Sequence, residues 1–465
     1  MSSPHPFNPT ILREYDIRGI VGTTLFEADA LAIGQTFGTM VVRRGGNMVC
    51  VGYDGRLSSP LLEAALVRGL VATGLEVRRV GRGPTPMLYF AAHLLEADGA
   101  IMVTGSHNPP DHNGFKIVLG GKPFFAGQIR ELGLLAAQGG LEERDGGKAV
   151  DEPVAAGYLD RLLADYDGDG GGGRPLTVVW DSGNGATGDI VQTLIQRLPG
   201  RHVLLNGTID GTFPAHHPDP TEPENLRQLI AAVTAEGADL GIAFDGDGDR
   251  IGVVDQTGRI LYGDQILMFL AEEVLATHPG APILADVKAS QSLFDHIARL
   301  GGQPVMCRTG HSIIKTQLAE LKAPLAGEMS GHIFFADRYY GFDDALYAAI
   351  RFLGMVARWQ GPTLAERVAA LPRVWNTPEL RIDCAEDRKF AIVAAVRDRL
   401  AATDFQVTTI DGVRVATPDG WWLLRASNTQ AILVARCEAN SEAGLVRLQA
   451  ILQHELAGFG LSLPG

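Results

Sequence analysis

Residues 100–119 read AIMVTGSHNPPDHNGFKIVL, which is a polar, glycine-containing loop between two apolar runs. The runs at 100–103 and 115–119 have the composition of buried strands, whereas the prolines and glycines between them predict irregular backbone. Ser106 is therefore predicted to lie at the end of a strand, where α/β proteins place their chemistry. Taken alone, the loop is equally consistent with a plain turn in which Ser106 and Asn108 hydrogen-bond their own backbone.

The sequence before this loop alternates between helical and strand patterns. Helices are predicted at 29–40, from Ser58 towards Gly74, and at 86–95, with strands at 48–51 and 76–80 between them. This alternation is typical of parallel βαβ units. The first part of the chain is therefore predicted to be an α/β domain that carries Ser106 at one edge of its sheet.

The order of strand, polar glycine-containing loop and strand occurs twice more. Residues 239–244 lead into DGDGDR at 245–250 and out through 251–254, and the stretch 325–335 carries Glu328, Ser330 and His332. A spaced repeat of this kind indicates three copies of one topology. The predicted fold class is α/β, with three topologically similar domains built on mixed sheets.

Beyond residue 372 the pattern changes to that of a smaller α+β domain. Strands are predicted at 379–382, 412–415, 420–424 and 431–435, and RASNT at 425–429 lies between the last two. This turn offers a guanidinium, hydroxyls, an amide and backbone N–H groups, which together suit an anion. An ordinary hairpin turn also accounts for its serine and asparagine. The four predicted domains are 1–153, 154–256, 257–371 and 372–465.

The composition limits the class of partner. A formal net charge of −14 argues against nucleic-acid binding, which requires a basic face, although a local basic pocket for a small anion is compatible with it. The four cysteines are far apart, so we expect buried, reduced side chains. Because the sequence has neither an apolar segment of about 18 residues nor a signal-like beginning, we expect a cytoplasmic protein without membrane association.

Asp245, Asp247 and Asp249 alternate with glycines, so their three carboxylates can converge on one point. Such charges raise one another's pKa unless a cation lies among them, and hard oxygen ligands select Mg²⁺ or a similar ion. An EF-hand is excluded because its sixth position is Arg250 rather than Gly and its twelfth is Gln256 rather than Glu. The remaining alternative is a solvated acidic turn, which the apolar strands on both sides disfavour.

A phosphoryl-transfer site requires a nucleophile or carrier, a metal, and cations for the remaining phosphate charge. Ser106 can be the carrier, the three aspartates can hold the metal, and Arg18, Lys116 and Arg250 can supply the cations. His107 can act as a base beside the serine, but neighbouring residues often point apart, so hydrogen bonding to the phosphate is the preferred role.

The loop at 325–335 has the side chains that a sugar requires. Glu328 accepts and Ser330 donates hydrogen bonds, and His332 and His311 add neutral donors. Taken singly, each histidine is more often a structural residue than a ligand.

Four of these motifs, in this order, resemble the signature loops of the α-D-phosphohexomutases. They are residues 104–109 with 113–116, 245–250, 327–332 and 425–429. The resemblance spans essentially the whole chain and is closest to the bacterial phosphomannomutase/phosphoglucomutase type, given residues 15–19 and Met329. Phosphoglucosamine mutases typically carry Gln where Met329 stands, and they are the alternative within the family.

The resemblance implies four domains around one central cleft, each contributing a loop. Ser106 would be the phosphoserine, and Mg²⁺ would be bound by an oxygen of its phosphate together with Asp245, Asp247 and Asp249. The other catalytic candidates are Arg18, His107, Lys116, Arg250 and His332. The implied substrate-binding residues are Tyr15, Lys288, His311, Glu328, Met329, Ser330, Gly331, Arg425, Ser427, Asn428 and Thr429.

The implied reaction is the reversible conversion of hexose 1-phosphate and hexose 6-phosphate, with hexose 1,6-bisphosphate as intermediate and activator. The expected partners are glucose and mannose 1- and 6-phosphates, and the expected state is a monomer or weak oligomer. Two other classes of function stay open. A metal-dependent sugar phosphatase would pass the phosphoryl group to water, and a sugar-phosphate sensor would bind without turnover.

Overall fold

The computed structural model describes residues 4–168, 173–401, 405–428 and 430–464. Its strands form four sheets, of which three are mixed and the last is entirely antiparallel. The predicted fold class is therefore confirmed, with three α/β domains followed by a smaller α+β domain. None of the helices in the described part of the chain combines the length and apolar character that a bilayer crossing requires.

The first domain has a sheet of order β1-β5-β4-β2-β3-β7, with β6 paired to β5. Its elements are β1 (Ile17–Ile20), α1 (Glu27–Arg43), β2 (Met48–Tyr53), α2 (Ser59–Val71), β3 (Glu76–Arg82), α3 (Thr85–Leu94), β4 (Gly99–Val103), β5 (His112–Leu119), β6 (Lys122–Pro123), α4 (Gly127–Gln138) and β7 (Lys148–Asp151). The sequence pattern did not predict β1, because four residues at a sheet edge carry too little periodicity to be recognised. The pairing of β1 with β5 places Arg18 opposite Gly114.

The second domain has a sheet of order β12-β11-β10-β8-β9. Its elements are α5 (Ala155–Leu163), β8 (Leu176–Asp181), α6 (Gly188–Leu194), β9 (Gly200–Leu205), α7 (Arg227–Glu236), β10 (Leu240–Phe244), β11 (Ile251–Asp255) and β12 (Ile260–Leu261).

The third domain has a sheet of order β14-β13-β15-β16. Its elements are α8 (Gly263–Thr277), β13 (Pro282–Asp286), α9 (Gln291–Arg299), β14 (Gln303–Cys307), α10 (His311–Leu321), β15 (Leu325–Gly327), β16 (Ile333–Phe335), α11 (Ala345–Arg358) and α12 (Leu364–Ala369).

The last domain has a sheet of order β17-β22-β21-β20-β19, with β18 also paired to β22. Its elements are β17 (Trp375–Asn376), β18 (Leu380–Asp383), α13 (Lys389–Leu400), β19 (Gln406–Thr408), β20 (Val413–Thr417), β21 (Gly420–Ala426), β22 (Ile432–Ala439) and α14 (Glu442–Ala457).

The three polar loops identified in the sequence occupy equivalent places in the first three sheets. Each joins a strand with a parallel neighbour to the antiparallel strand that follows it: β4 to β5, β10 to β11, and β15 to β16. Their side chains therefore emerge where strands end, as the pattern of strand, loop and strand predicted.

The first three domains share one apolar core. A continuous cluster of buried side chains includes Phe90 of α3, Trp180 of β8, Phe269 of α8 and most of α11, which is buried on nearly all sides. The last domain packs its helices on a core of its own around Trp422. The first domain also has a separate buried cluster, which includes Phe37 of α1 and Leu66 of α2. One core is thus common to three domains and separate from the fourth.

Candidate active site

A cleft of about 740 Å³ lies where the four domains meet. Its lining includes side chains from each of them: Ser106 and Lys116, Arg250, Glu328, and Arg425. Most of the residues predicted from the sequence line this one cleft. They are Tyr15, Arg18, Ser106, His107, Lys116, Arg250, Lys288, His311, Glu328, Met329, Ser330, His332, Arg425, Ser427 and Asn428.

Ser106 lies at the floor of the cleft, on the loop that follows β4. Its backbone has a left-handed φ of +49°, a conformation that costs a non-glycine residue on the order of 1–3 kcal/mol. Its hydroxyl donates to Asp245 Oδ2 at 3.0 Å and lies 3.2 Å from His107 Nδ1. The strained turn therefore directs the hydroxyl at the acidic loop of the next domain.

The three aspartates are buried behind the lining of the cleft and form one cluster. Each offers a carboxylate oxygen within 4.8 Å of the others. Asp245 Oδ1 accepts from the backbone N–H groups of Gly248, Asp249 and Arg250 at 3.0, 3.1 and 3.2 Å, which fixes the loop around it. Among the described residues, Asp247 Oδ1 is buried without a hydrogen-bond partner, and Asp249 Oδ1 has only the ring nitrogen of His332 near it, at 3.2 Å.

A buried cluster of three carboxylates with an unpaired oxygen on Asp247 fits a hard divalent cation, because oxygen ligands of this kind are those that Mg²⁺ prefers. The electrostatics agree with this interpretation. Burial and the charges of Asp249 and Asp247 hold the pKa of Asp245 well above its ordinary value. A cation among the three carboxylates would relieve that repulsion.

Lys116 projects from β5 into the same cluster. Its Nζ donates to Asp247 Oδ2 at 2.7 Å and to Asp249 Oδ2. Burial alone would lower the pKa of Lys116, but the two carboxylates raise it well above its ordinary value, so the ammonium stays charged.

The pKa of His107 is shifted in the other direction. Burial and the positive charges of Arg250 and Arg18 hold it well below its ordinary value. His107 is therefore neutral.

The loop of the third domain connects directly to the cluster of aspartates through His332. Nε2 of His332 lies 3.2 Å from Asp249 Oδ1 and its Nδ1 lies 2.8 Å from Glu328 Oε2. Burial alone would lower the pKa of His332, but the flanking carboxylates raise it to about 9. Burial would raise the pKa of Glu328, but the bond from His332 lowers it to about 2. The charge on each group thus depends on its neighbour.

Gly331 faces the second domain rather than the lining of the cleft. Its φ is +93°, and a Cβ there would lie 2.5 Å from the carbonyl oxygen of Ile251 on β11. Arg250 and His332 form a backbone bridge at the same place. Gly331 therefore allows the loops of the second and third domains to meet without an intervening side chain.

Other predicted substrate-binding residues lie on the third domain and around it. Lys288 Nζ donates to Glu379 Oε2 of the last domain at 3.0 Å. His311 begins α10, with its Nδ1 3.2 Å from Asp343 Oδ2 and its ring stacked 5.5 Å from that of His332. The backbone N–H of Met329 donates to Asp286 Oδ1 at 3.1 Å. These contacts hold the part of the cleft that the third domain lines.

The loop at 425–429 reaches the cleft from the hairpin of β21 and β22. Arg425 Nε donates to Asp411 Oδ2 at 2.9 Å, and Asn428 Nδ2 donates to the hydroxyl of Tyr15 at 2.5 Å. Ser427 is buried and lines the cleft beside Arg425. Thr429, also predicted here, lies outside the described residues.

Sequence reasoning missed three residues that support the predicted ones. Asp54 and Arg56 lie in the turn after β2 and contact the Ser106 loop, and Asp411 pairs with Arg425. A signal was present for the first two: their turn follows a strand at the same sheet edge as Ser106. The same turn also fits a simple connection between β2 and α2, so the pattern alone did not identify these two residues as contacts of the Ser106 loop.

Comparisons with known proteins find matches along nearly the whole chain. Models of phosphoglucomutase/phosphomannomutase α/β/α domains I, II and III match residues 9–132, 156–258 and 262–374, and the model of the C-terminal domain matches residues 379–454. The fold is therefore that of the phosphohexomutase superfamily, whose mutases are isomerases. Within it, the chain belongs to the phosphoglucomutase/phosphomannomutase family, bacterial type.

Individual relatives agree with this assignment. The phosphomannomutase/phosphoglucomutase of Pseudomonas aeruginosa is 46% identical over 98% of this chain and 97% of its own length. The phosphoglucomutase of Neisseria gonorrhoeae is 42% identical over 94% of this chain and 95% of its own. A crystal structure of a phosphoglucomutase/phosphomannomutase family protein from Burkholderia thailandensis superposes with a TM-score of 0.91 at 44% identity, covering 99% of this chain and all of that one.

Proposed function

We propose that this chain interconverts hexose 1-phosphates and hexose 6-phosphates, acting on the glucose and mannose compounds, with Ser106 as the phosphoryl carrier. One observation carries the proposal. The Ser106 hydroxyl, the loop of Glu328 and the anion-binding loop of Arg425 line a single cleft of about 740 Å³, with the acidic cluster directly behind the serine. The names of the relatives point to the same reaction.

The proposed reaction is a relay. Phosphorylated Ser106 faces the free hydroxyl of a hexose 1-phosphate, the P–Oγ bond breaks, and a bond forms from phosphorus to the sugar oxygen, which gives up its proton. The product is a hexose 1,6-bisphosphate. It turns end over end so that its other phosphate faces Ser106. The reverse transfer restores phosphoserine and releases hexose 6-phosphate.

Mg²⁺ would be held by Asp245, Asp247 and Asp249 with an oxygen of the Ser106 phosphate, where it would neutralise phosphate charge. The other charges come from the chain itself. Lys116, Arg18 and Arg250 line the cleft beside Ser106, and we assign them to stabilising the transferred group. Each ring nitrogen of His332 faces a different carboxylate, of Asp249 and of Glu328, which makes His332 a candidate for exchanging a proton with the sugar hydroxyl. His107 is assigned to orienting the phosphate.

Substrate recognition is divided between two sides of the cleft. Glu328 and Ser330 would bind the ring hydroxyls, with Lys288, His311, Met329 and Tyr15 completing that side in either orientation of the sugar. The phosphate that is not transferred would be bound by Arg425, Ser427, Asn428 and Thr429. One such phosphate site serves both half-reactions, since the intermediate presents each of its phosphates there in turn. A cytoplasmic location and a monomeric or weakly oligomeric state remain predictions.

The experiment is a set of initial rates with glucose, mannose and glucosamine 1-phosphates, each started with a trace of the corresponding 1,6-bisphosphate. We expect turnover of the glucose and mannose compounds and little with glucosamine 1-phosphate. A preference for glucosamine 1-phosphate would assign the chain to phosphoglucosamine conversion instead. Release of inorganic phosphate without hexose 6-phosphate would indicate a phosphatase, and binding without any turnover a sensor.

A further inference from the structure

Arg56 is a buried cation that has no part in the proposed chemistry. Its side chain is fully shielded from solvent, and it lies in the turn between β2 and α2, 50 positions before Ser106. Its Nε is 3.2 Å from Asp54 Oδ2, so the charge has a carboxylate partner. A buried guanidinium is retained only where several acceptors satisfy its donors, and the identity of those acceptors indicates its role.

The acceptors of Arg56 are carbonyl oxygens of the Ser106 loop. Nη2 donates to the carbonyl oxygens of Ser106 and Asn108 at 2.8 and 2.6 Å. Nη1 donates to those of Pro109 and His112 at 2.5 and 3.0 Å. One planar group therefore gathers four carbonyls from seven consecutive residues.

Further contacts fix the guanidinium itself. Gly105 lies so close that a Cβ there would be 2.3 Å from Arg56 Nε. The ring of Phe213, from the second domain, lies 5.1 Å from Arg56 Cζ. Asp54 also accepts from the backbone N–H of Gly105 at 3.0 Å and from the hydroxyl of Thr104 at 2.9 Å. The Asp54 and Arg56 pair therefore binds the loop through both its donors and its acceptors.

We propose that Arg56 is a positioning residue for phosphoryl transfer: it holds the Ser106 loop in the left-handed turn that directs the serine oxygen at the acidic cluster. The inference rests on the proposed function, since it assigns Arg56 a part in transfer to and from Ser106. The carbonyl of Ser106 is held by Arg56 on one side while its hydroxyl contacts Asp245 on the other. The turn also keeps four carbonyl dipoles directed at a positive charge instead of at a phosphate.

The test replaces Arg56 with lysine, which keeps the charge but cannot present a planar fork to four acceptors. The matched control is Arg351→Lys, because Arg351 is equally buried but pairs with Glu273 and Asp337 away from the cleft. We expect Arg56→Lys to lower kcat by about 100-fold, the loss typical of a misplaced reacting group. The Kd for glucose 1-phosphate should change by less than about threefold, because the groups that bind the sugar phosphate are untouched.

Both variants should lose thermal stability, but Arg351→Lys should retain its kcat. An unchanged kcat in Arg56→Lys, or a kcat loss of equal size in both variants, would overturn the positioning role. If Arg56→Lys does not fold, Gly105→Ala takes its place, because the new methyl group must displace the guanidinium. An unchanged kcat in that variant would count against the inference in the same way.

Labelling with radioactive glucose 1,6-bisphosphate separates this inference from the proposed function. Wild-type chain is expected to carry label on Ser106, and Arg56→Lys to exchange it with glucose 1-phosphate about 100-fold more slowly in a single turnover. Label on Ser106 that exchanges at the same rate in both proteins would overturn the positioning role alone. No label on wild-type Ser106 would overturn the proposed function and, with it, the role of Arg56.

Discussion

The Ser106 loop and the Arg425 loop face the same cleft but are held in different ways. Ser106 is bound by buried charged groups from two domains: Arg56 holds its carbonyl and Asp245 accepts from its hydroxyl. Gly246 of the acidic loop packs so closely that a Cβ would lie 2.4 Å from the Ser106 carbonyl oxygen. The strands that lead into the Ser106 loop and the acidic loop, β4 and β10, contribute side chains to the apolar core that the first three domains share.

The Arg425 loop belongs to a domain with its own core, and the contacts that tie it to the other domains are mainly polar. Asn428 donates to the hydroxyl of Tyr15, and the backbone N–H of Thr309 donates to Asp411 at 3.1 Å. A small apolar patch of Val287, Trp421 and Leu423 accompanies them. From this difference we expect the reacting end of the cleft to be fixed and the recognition end to move with the last domain.

The largest expected effect comes from the reacting end of the cleft, where Ser106 lies. Ser106→Ala removes the phosphoryl carrier, so mutase turnover should fall by roughly 10⁴-fold or more while glucose 1-phosphate still binds. Initial rates and calorimetric binding measure the two quantities. Ser182→Ala is the matched control, because Ser182 is also buried and its hydroxyl has no partner among the described residues. Turnover near the wild-type rate in Ser106→Ala would remove this serine from the mechanism.

The second effect tests the acidic cluster behind Ser106. Asp247→Asn removes a carboxylate whose Oδ1 has no hydrogen-bond partner among the described residues, so the Mg²⁺ concentration for half-maximal activity should rise by at least about tenfold. A titration of activity against Mg²⁺ measures it. Asp255→Asn serves as control, since that buried carboxylate accepts from Thr257 and Arg259 in the next turn. Identical titrations for wild type and Asp247→Asn would show that the cluster is not the metal site.

The same contrast explains what the sequence predicted and what it did not. Ser106, the three aspartates and Glu328 could be identified because each lies in a short polar loop between apolar runs, so local pattern alone places them at strand ends. The fold class followed from the repetition of that pattern. Long-range partners leave at most a trace of position, as the turn of Arg56 after β2 does. Arg56 contacts backbone carbonyls, which every residue has, so no side-chain pattern near residue 106 announces it.

The extent of the shared core was also beyond reach of the sequence pattern. Residues 345–358 are almost entirely apolar, but the pattern of one helix does not say which domains bury it. Strands of two residues, such as β12 and β17, are too short to show a period of two. Asp411 could not be paired with Arg425 because the pairing depends on the register of β20 and β21.

The third prediction tests the recognition end of the cleft, which the last domain carries. Arg425→Ala should raise the KM for all phosphohexoses by roughly 10- to 100-fold, the range that loss of charge-assisted hydrogen bonds produces. Phosphorylation of Ser106 by the bisphosphate should continue at saturating concentration, because the serine and the acidic cluster are unchanged. Arg447→Ala is the control, since Arg447 pairs with Asp419 on the exposed surface of the same domain. An equal loss of phosphorylation and of binding would mean that the two ends are not separable.

The smallest expected effect concerns the hydrogen-bonded contact between α5 and α11, which both belong to the first three domains. Asp344 caps α11 and accepts from the hydroxyls of Tyr158 on α5 and Tyr339 at 2.9 and 2.8 Å. Burial raises its pKa from 3.8 to about 6. Between these values the folded state binds more proton than the unfolded state, so the free energy of unfolding contributed by this group falls as the pH rises from 4 to 6.

Denaturant unfolding of wild type and Asp344→Asn across this pH range measures the contribution. The stability of wild type relative to the variant should decrease by up to about 3 kcal/mol between pH 4 and pH 6 and stay constant above it, since each pKa unit corresponds to about 1.4 kcal/mol. Asp383→Asn, at an exposed residue of β18, controls for the general effect of removing a carboxylate. A difference that increases with pH would show that Asp344 is stabilised in its charged form, and α11 would then be held by an ionic tie instead of a neutral one.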